Sequence, residues 1–111
     1  MSRHTELRGI AEGTGSGADD ARRALGDGPI RQRLTCAIRA LAAHRGPDSS
    51  TCPSDAARAV GDERWRALMD DARDAARALA AAGDVEIMQR GAVLDPDAPW
   101  RGPIRIRIAR R

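Results

Sequence analysis

The sequence predicts a mainly α, α+β fold in which three helices precede a C-terminal β-hairpin. Three observations predict it. Apolar residues recur at helical spacing from Ile30 to Leu79, and the period shortens to two at "DVEIMQRG" and again at "PIRIRI". Gly46-Pro47, Gly61, Gly83 and Arg90-Gly91 punctuate the changes.

Each element can be justified in order. Pro29 suits the first turn of a helix, and Ile30, Leu34, Ala37, Ile38 and Leu41 form its apolar phase until Gly46-Pro47 stops it. Cys36, Ala40 and Ala43 make a second strip of small side chains, which lets another element or a second copy of the chain approach closely. In "TCPSDAARAVG", Thr51 or Cys52 can cap, Pro53 fits the first turn, Asp55 favours the positive helix end and Gly61 terminates. Trp65, Leu68, Met69, Ala72, Ala76, Leu79 and Ala80 then share one helical phase, giving a long third helix up to Gly83, with Asp70 able to cap a new start.

Val85 and Ile87 next point one way and Glu86 and Met88 the other, before a turn at Arg90-Gly91. After the Pro-rich excursion "LDPDAPWRGP", Ile104, Ile106 and Ile108 alternate with Arg105 and Arg107, so one strand face is dry and the other basic. Three helices and a hairpin are the order of a winged helix-turn-helix, with the helix-turn-helix at residues 52–83 and the wing at 90–103. The predicted domain is 29–111. Residues 1–28 read as a flexible Gly-rich tail, in which "GTGSG" at 13–17 is a linker because no buried strand precedes it to make a phosphate-cradling loop.

Composition narrows the function classes. The chain has 111 residues, 19 basic against 16 acidic, with every basic residue an arginine and neither Phe nor Tyr. The formal charge of +3 leans towards an acidic partner, and the surplus is split between residues 30–62 and 84–111, so a modest basic patch is expected and a basic arm is not. Two cysteines without CxxC spacing and no cleavable signal segment predict a reducing, cytoplasmic setting, and no apolar run is long enough to span a membrane.

Double-stranded DNA is the partner this order of elements suggests first. Arg66, Arg73 and Arg77 on the third helix, with Arg90, Arg101, Arg105 and Arg107 on the wing, are the candidate contacts to bases and phosphates. A homodimer suits a palindromic site. Against this, Arg66–Asp70, Asp70–Arg73 and Asp74–Arg77 are spaced to pair with one another, and Glu86 is placed to neutralise Arg105 or Arg107, depending on register. The alternative is a protein-interaction module without nucleic acid. The expectation is a small DNA-binding accessory or regulatory protein.

Other chemistry is sparsely represented. Trp65 belongs to the helix core phase, whereas Trp100, among prolines, either stacks on a ligand or folds the wing loop back over the sheet. Cys36, His44 and Cys52 lack the close pairs of a zinc site, so no metal is expected. Cys52 is a redox candidate, since a helix N-terminus favours thiolate. Ser49 and Ser54 lack a base, and neither a catalytic set nor a cofactor is implied.

"TCPSDAARAVGDERWRALM", "ARALAAAGDVEIMQRG" and "RGPIRIR" together resemble a small bacterial, winged-helix-like family, domain of unknown function 3253, over roughly residues 30–108. The resemblance implies the fold and adds no substrate, cofactor or catalytic residue.

Overall fold

The computed structural model describes residues 2–109. It is an α+β domain whose helices α1 (Arg3–Glu12), α2 (Ala18–Ala24), α3 (Ile30–Arg45), α4 (Pro53–Gly61) and α5 (Met69–Ala81) are followed by β1 (Val85–Gln89), β2 (Ala92–Leu94) and β3 (Arg105–Ile108). A 3-10 helix, Asp62–Leu68, joins α4 to α5.

The central helix α3 buries Leu34, Ala37, Ile38 and Leu41 fully, as expected, whereas Ile30 in its first turn is exposed. Its small-residue strip is used within the chain. A Cβ at Gly17, the left-handed N-cap of α2 (φ 87°), would lie 2.9 Å from the Ala40 Cα, so the α2 start sits directly on α3. Gly17→Ala therefore meets both a backbone clash and an unfavourable φ, and it is expected to cost about 2–3 kcal/mol in urea unfolding. A loss under about 0.5 kcal/mol would show that the two helices are not in close contact.

Of residues 1–28, expected as a flexible tail, Arg3–Glu12 and Ala18–Ala24 instead form α1 and α2. Ser2 caps α1 by accepting from the Thr5 amide at 3.1 Å, and Leu7, Ile10, Ala18, Ala21 and Ala24 join the core. The "GTGSG" stretch is the turn between these helices.

The long third helix is also corrected. Its apolar phase continues across residues 62–81, but the backbone tightens to 3-10 geometry until Leu68, with Asp62 at φ 52° and α5 starting at Met69. A three-residue period places Trp65 and Leu68 on one side, and both lie half-buried at the core margin.

The sheet has three strands, not two, in the order β2-β1-β3, all antiparallel. Arg90 (φ 53°) and Gly91 (φ 82°) form a two-residue turn of the left-handed type that tight hairpins require, returning the chain as β2. β3 then pairs with the other side of β1, Val85 opposite Ile108 and Ile87 opposite Ile106, so Ile87, Ile104 and Ile106 cover the helices as their alternation predicts. One further bridge ties the α3–α4 connection to the sheet: the Thr51 amide donates to the Ile106 carbonyl at 2.8 Å, and the Ile106 amide returns the bond at 2.7 Å.

Candidate functional site

The residues between β2 and β3 decide what the basic side chains can meet. Trp100 donates its indole N–H to the Asp95 carbonyl at 3.0 Å, and the Asp97 amide donates to the Asp95 side chain at 2.8 Å, which curls the segment on itself. Arg77 stacks on the Trp100 ring, 3.9 Å from its centroid, and donates to the carbonyls of Pro96 and Ala98, the latter at 2.7 Å. Arg73 donates to the Gly102 carbonyl at 3.2 Å. Gln89 on β1 holds the other side, donating to the carbonyls of Arg101 (2.7 Å) and Pro103 (3.1 Å). Segment 95–103 is thus latched across α5; Trp100 folds the loop back as expected, but its partner is the Arg77 side chain of α5 and not the face of the sheet.

The expected arginine set is consequently dispersed. Arg66 lies on the 3-10 helix, off the α5 axis, and stacks on Trp65 at 4.6 Å, with Arg58 over the same ring at 4.2 Å. Arg73 and Arg77 face the latched segment, and Arg90 and Arg101 are exposed. Arg107 lies opposite Glu86 and donates to its carboxylate at 2.6 and 3.1 Å. Arg105 turns to Ser50 instead, Nε donating to Oγ at 2.9 Å and Nη2 to the carbonyl at 3.0 Å.

Among the described residues, none of the Arg66–Asp70, Asp70–Arg73 and Asp74–Arg77 ion pairs expected from spacing is present; Asp74 faces Arg31 of α3 at 3.7 Å. Asp70 and Asp74 are exposed, so the outward side of α5 is acidic. Carbonyl acceptors leave the charge of a guanidinium intact, and Arg66, Arg73, Arg77, Arg90, Arg101 and Arg105 have no carboxylate partner within 4.0 Å among the described residues.

Two of these cations border a groove of about 520 Å³ between the α4 N-terminus, the 3-10 helix and α5 start, and the residues entering β3. Pro53, Trp65, Met69, Pro103 and Ile104 supply its apolar surface, with Arg73 and Arg105 at its sides and no acidic residue in its wall. Trp65 is therefore a groove residue at the edge of the core. Cys52, the redox candidate, also borders the groove; its sulfur is 3.0 Å from Ser54 Oγ and its amide donates to Asp55 at 3.2 Å. The other two residues weighed for metal are apart from it in setting: Cys36 is buried within α3, where burial pushes its thiol up, and His44 is exposed near the end of the same helix.

Beneath the groove lies a polar cluster that sequence spacing did not reveal. The Asp55 carboxylate is almost fully buried and accepts from Arg3 Nε (2.6 Å), Arg45 Nη1 (2.9 Å) and Thr51 Oγ1 (2.8 Å). Burial alone would raise its pKa; the hydrogen bonds from Arg3 and Thr51, with the charges of Arg45 and Arg3, outweigh it and hold the carboxyl well below the usual range. Arg45 also binds Glu6 through both ends of its fork, at 3.0 and 3.2–3.3 Å, and donates to the Ser50 carbonyl at 3.0 Å. Because Ser50 also receives Arg105, the cluster fixes one wall of the groove. The only local trace is the Cys-Pro-Ser-Asp cap itself, whose Asp55 could be marked as an acid at a helix start but not as an acid shared with residues 3 and 45.

No helix of the described residues is long and apolar enough to cross a membrane, and no group of three His, Cys, Asp or Glu among them is placed to share a metal ion. No curated protein matches the chain. A family model does, over residues 31–109, which leaves out α1 and α2 and takes in every wall of the groove. The chain belongs to the family described as "Protein of unknown function (DUF3253)".

Proposed function

We propose that the chain is a protein-interaction module of winged-helix type, which presents the Trp65 groove to a partner and keeps α5 out of nucleic acid. The winged-helix assignment is supported by the succession α3, Thr51 bridge, α4, α5 and a sheet in which the Thr51 bridge lies beside β3 and β3 beside β1. The observation that carries the interaction reading is the latch of 95–103 on α5. In a DNA-reading winged helix this helix enters the major groove. Here Arg73 and Arg77 donate to backbone carbonyls, and the outward carboxylates are Asp74, 3.7 Å from Arg31, and Asp70, which repels phosphate.

A second reading, a DNA-binding accessory or regulatory protein, is favoured by the exposed Arg90, Arg101 and Arg105 of the wing and sheet edge, which have no carboxylate partner among the described residues. Titration of labelled duplex DNA separates the two. The interaction reading expects weak binding at low salt that disappears by about 150 mM and is unchanged by Arg73→Gln or Arg77→Gln. Sub-micromolar binding at that salt, with a slope flattened by Arg105→Gln and Arg107→Gln, establishes the DNA reading instead.

A further inference from the structure

Resting on the interaction reading, we infer that the Trp65 groove takes an acidic peptide segment of a partner protein, an apolar side chain set against Met69 and Pro103 beside Trp65 with carboxylates engaged by Arg73 and Arg105. Charge complementarity argues for this occupant. The wall contains two guanidiniums and no carboxylate, so a basic or neutral segment would leave both cations facing apolar surface.

Both cations are oriented by neutral acceptors. Arg73 is tied to the Gly102 carbonyl at 3.2 Å and Arg105 to both polar atoms of Ser50 at 2.9 and 3.0 Å. Ser50 is in turn held by Arg45 of the Asp55 cluster. Preorganised forks of this kind lose little side-chain freedom on meeting a carboxylate, and their neutral acceptors leave the charge available. The groove also supplies what a phosphate backbone does not use: the half-buried Trp65 and Met69 and the exposed Pro103 in a concavity of about 520 Å³, ample for one or two apolar side chains. Duplex DNA presents a convex, uniformly charged surface to such a groove, whereas an extended or helical peptide can place an apolar residue between two acids.

The test is selection of a random short-peptide display library against the full chain at physiological salt. The expected result is enrichment of sequences in which Asp or Glu flanks Leu, Ile, Phe or Trp. In anisotropy titrations of the winning peptide, Arg105→Gln and Met69→Glu each weaken binding about tenfold or more, and Arg73→Lys, which keeps the charge, weakens it less than Arg73→Gln. Circular dichroism identifies any variant that fails to fold, and the comparison then rests on the variants that do. Enrichment of apolar peptides without acids overturns the acidic-partner assignment and leaves the interaction reading standing. Failure to enrich any peptide, alongside salt-resistant duplex binding, overturns both.

Discussion

Asp55→Ala lowers the unfolding free energy by about 3 kcal/mol or more, because it leaves Arg45 charged and largely buried with Glu6 as its one remaining carboxylate among the described residues. The cost falls at the lower end of what a broken buried ion pair gives, since Arg3 is half-exposed and recovers solvent. The pH dependence follows from the direction of the shift. The folded carboxyl titrates below its ordinary value of 3.8, so its contribution is complete above about pH 4 and is lost as pH falls towards and through the folded pKa. Arg3 and Arg45, raised by their carboxylate partners against the opposing effect of burial, stay charged throughout and add no alkaline limb in the ordinary range. Thermal unfolding from pH 7 to pH 2 checks this: Asp55→Asn should start lower and show a shallower acid decline. An unchanged acid profile would mean that the carboxyl is not held in its ionised form by the fold.

Removal of residues 1–12 is expected to destabilise the rest by about 4 kcal/mol or more. Leu7 and Ile10 each account for roughly 1.5–3 kcal/mol of burial, and Arg3 and Glu6 take two partners from the Asp55–Arg45 cluster. For a domain this small such a loss approaches the whole stability, so the urea midpoint should shift to near zero denaturant. A truncated chain that unfolds within about 0.5 kcal/mol of the full one would restore the flexible-tail reading of this segment.

That contrast shows which parts of the molecule are written locally. α3 is legible because Pro29, the Ile30–Leu41 phase and Gly46 agree on one element, and β3 because its alternation can satisfy only one face. α1 is hidden because its apolar residues are few and its docking depends on Arg3 and Glu6 meeting Asp55 and Arg45, which are 39 to 52 residues away. α2 buries only alanines within its span, a pattern that composition cannot separate from a linker. β2 is three residues long, with Val93 more than half exposed, so it has no alternation to detect.

The candidate site divides in the same way. The turn at Arg90-Gly91 and the folding back of Trp100 follow from local chemistry, and the Glu86–Arg107 pair was one of two that register allowed. The helix-pair spacings failed because Arg73 and Arg77 found carbonyls some twenty to thirty residues along the chain, a contact that the i,i+4 rule does not contain. The groove itself is assembled from three separated segments, with Trp65 at the core margin and not within the core.

On the interaction reading, partners meet the Trp65 groove while α5 stays behind its latched loop. Two-dimensional NMR of the full chain, titrated separately with duplex DNA and with an acidic peptide carrying one apolar anchor, tests it most directly. The peptide is expected to move the Trp65 indole N–H and the Met69 and Arg105 amides, and duplex to leave the α5 amides from Asp70 to Ala78 in place. Shifts concentrated along α5 on adding duplex, with the Trp65 signal unmoved by peptide, would contradict it.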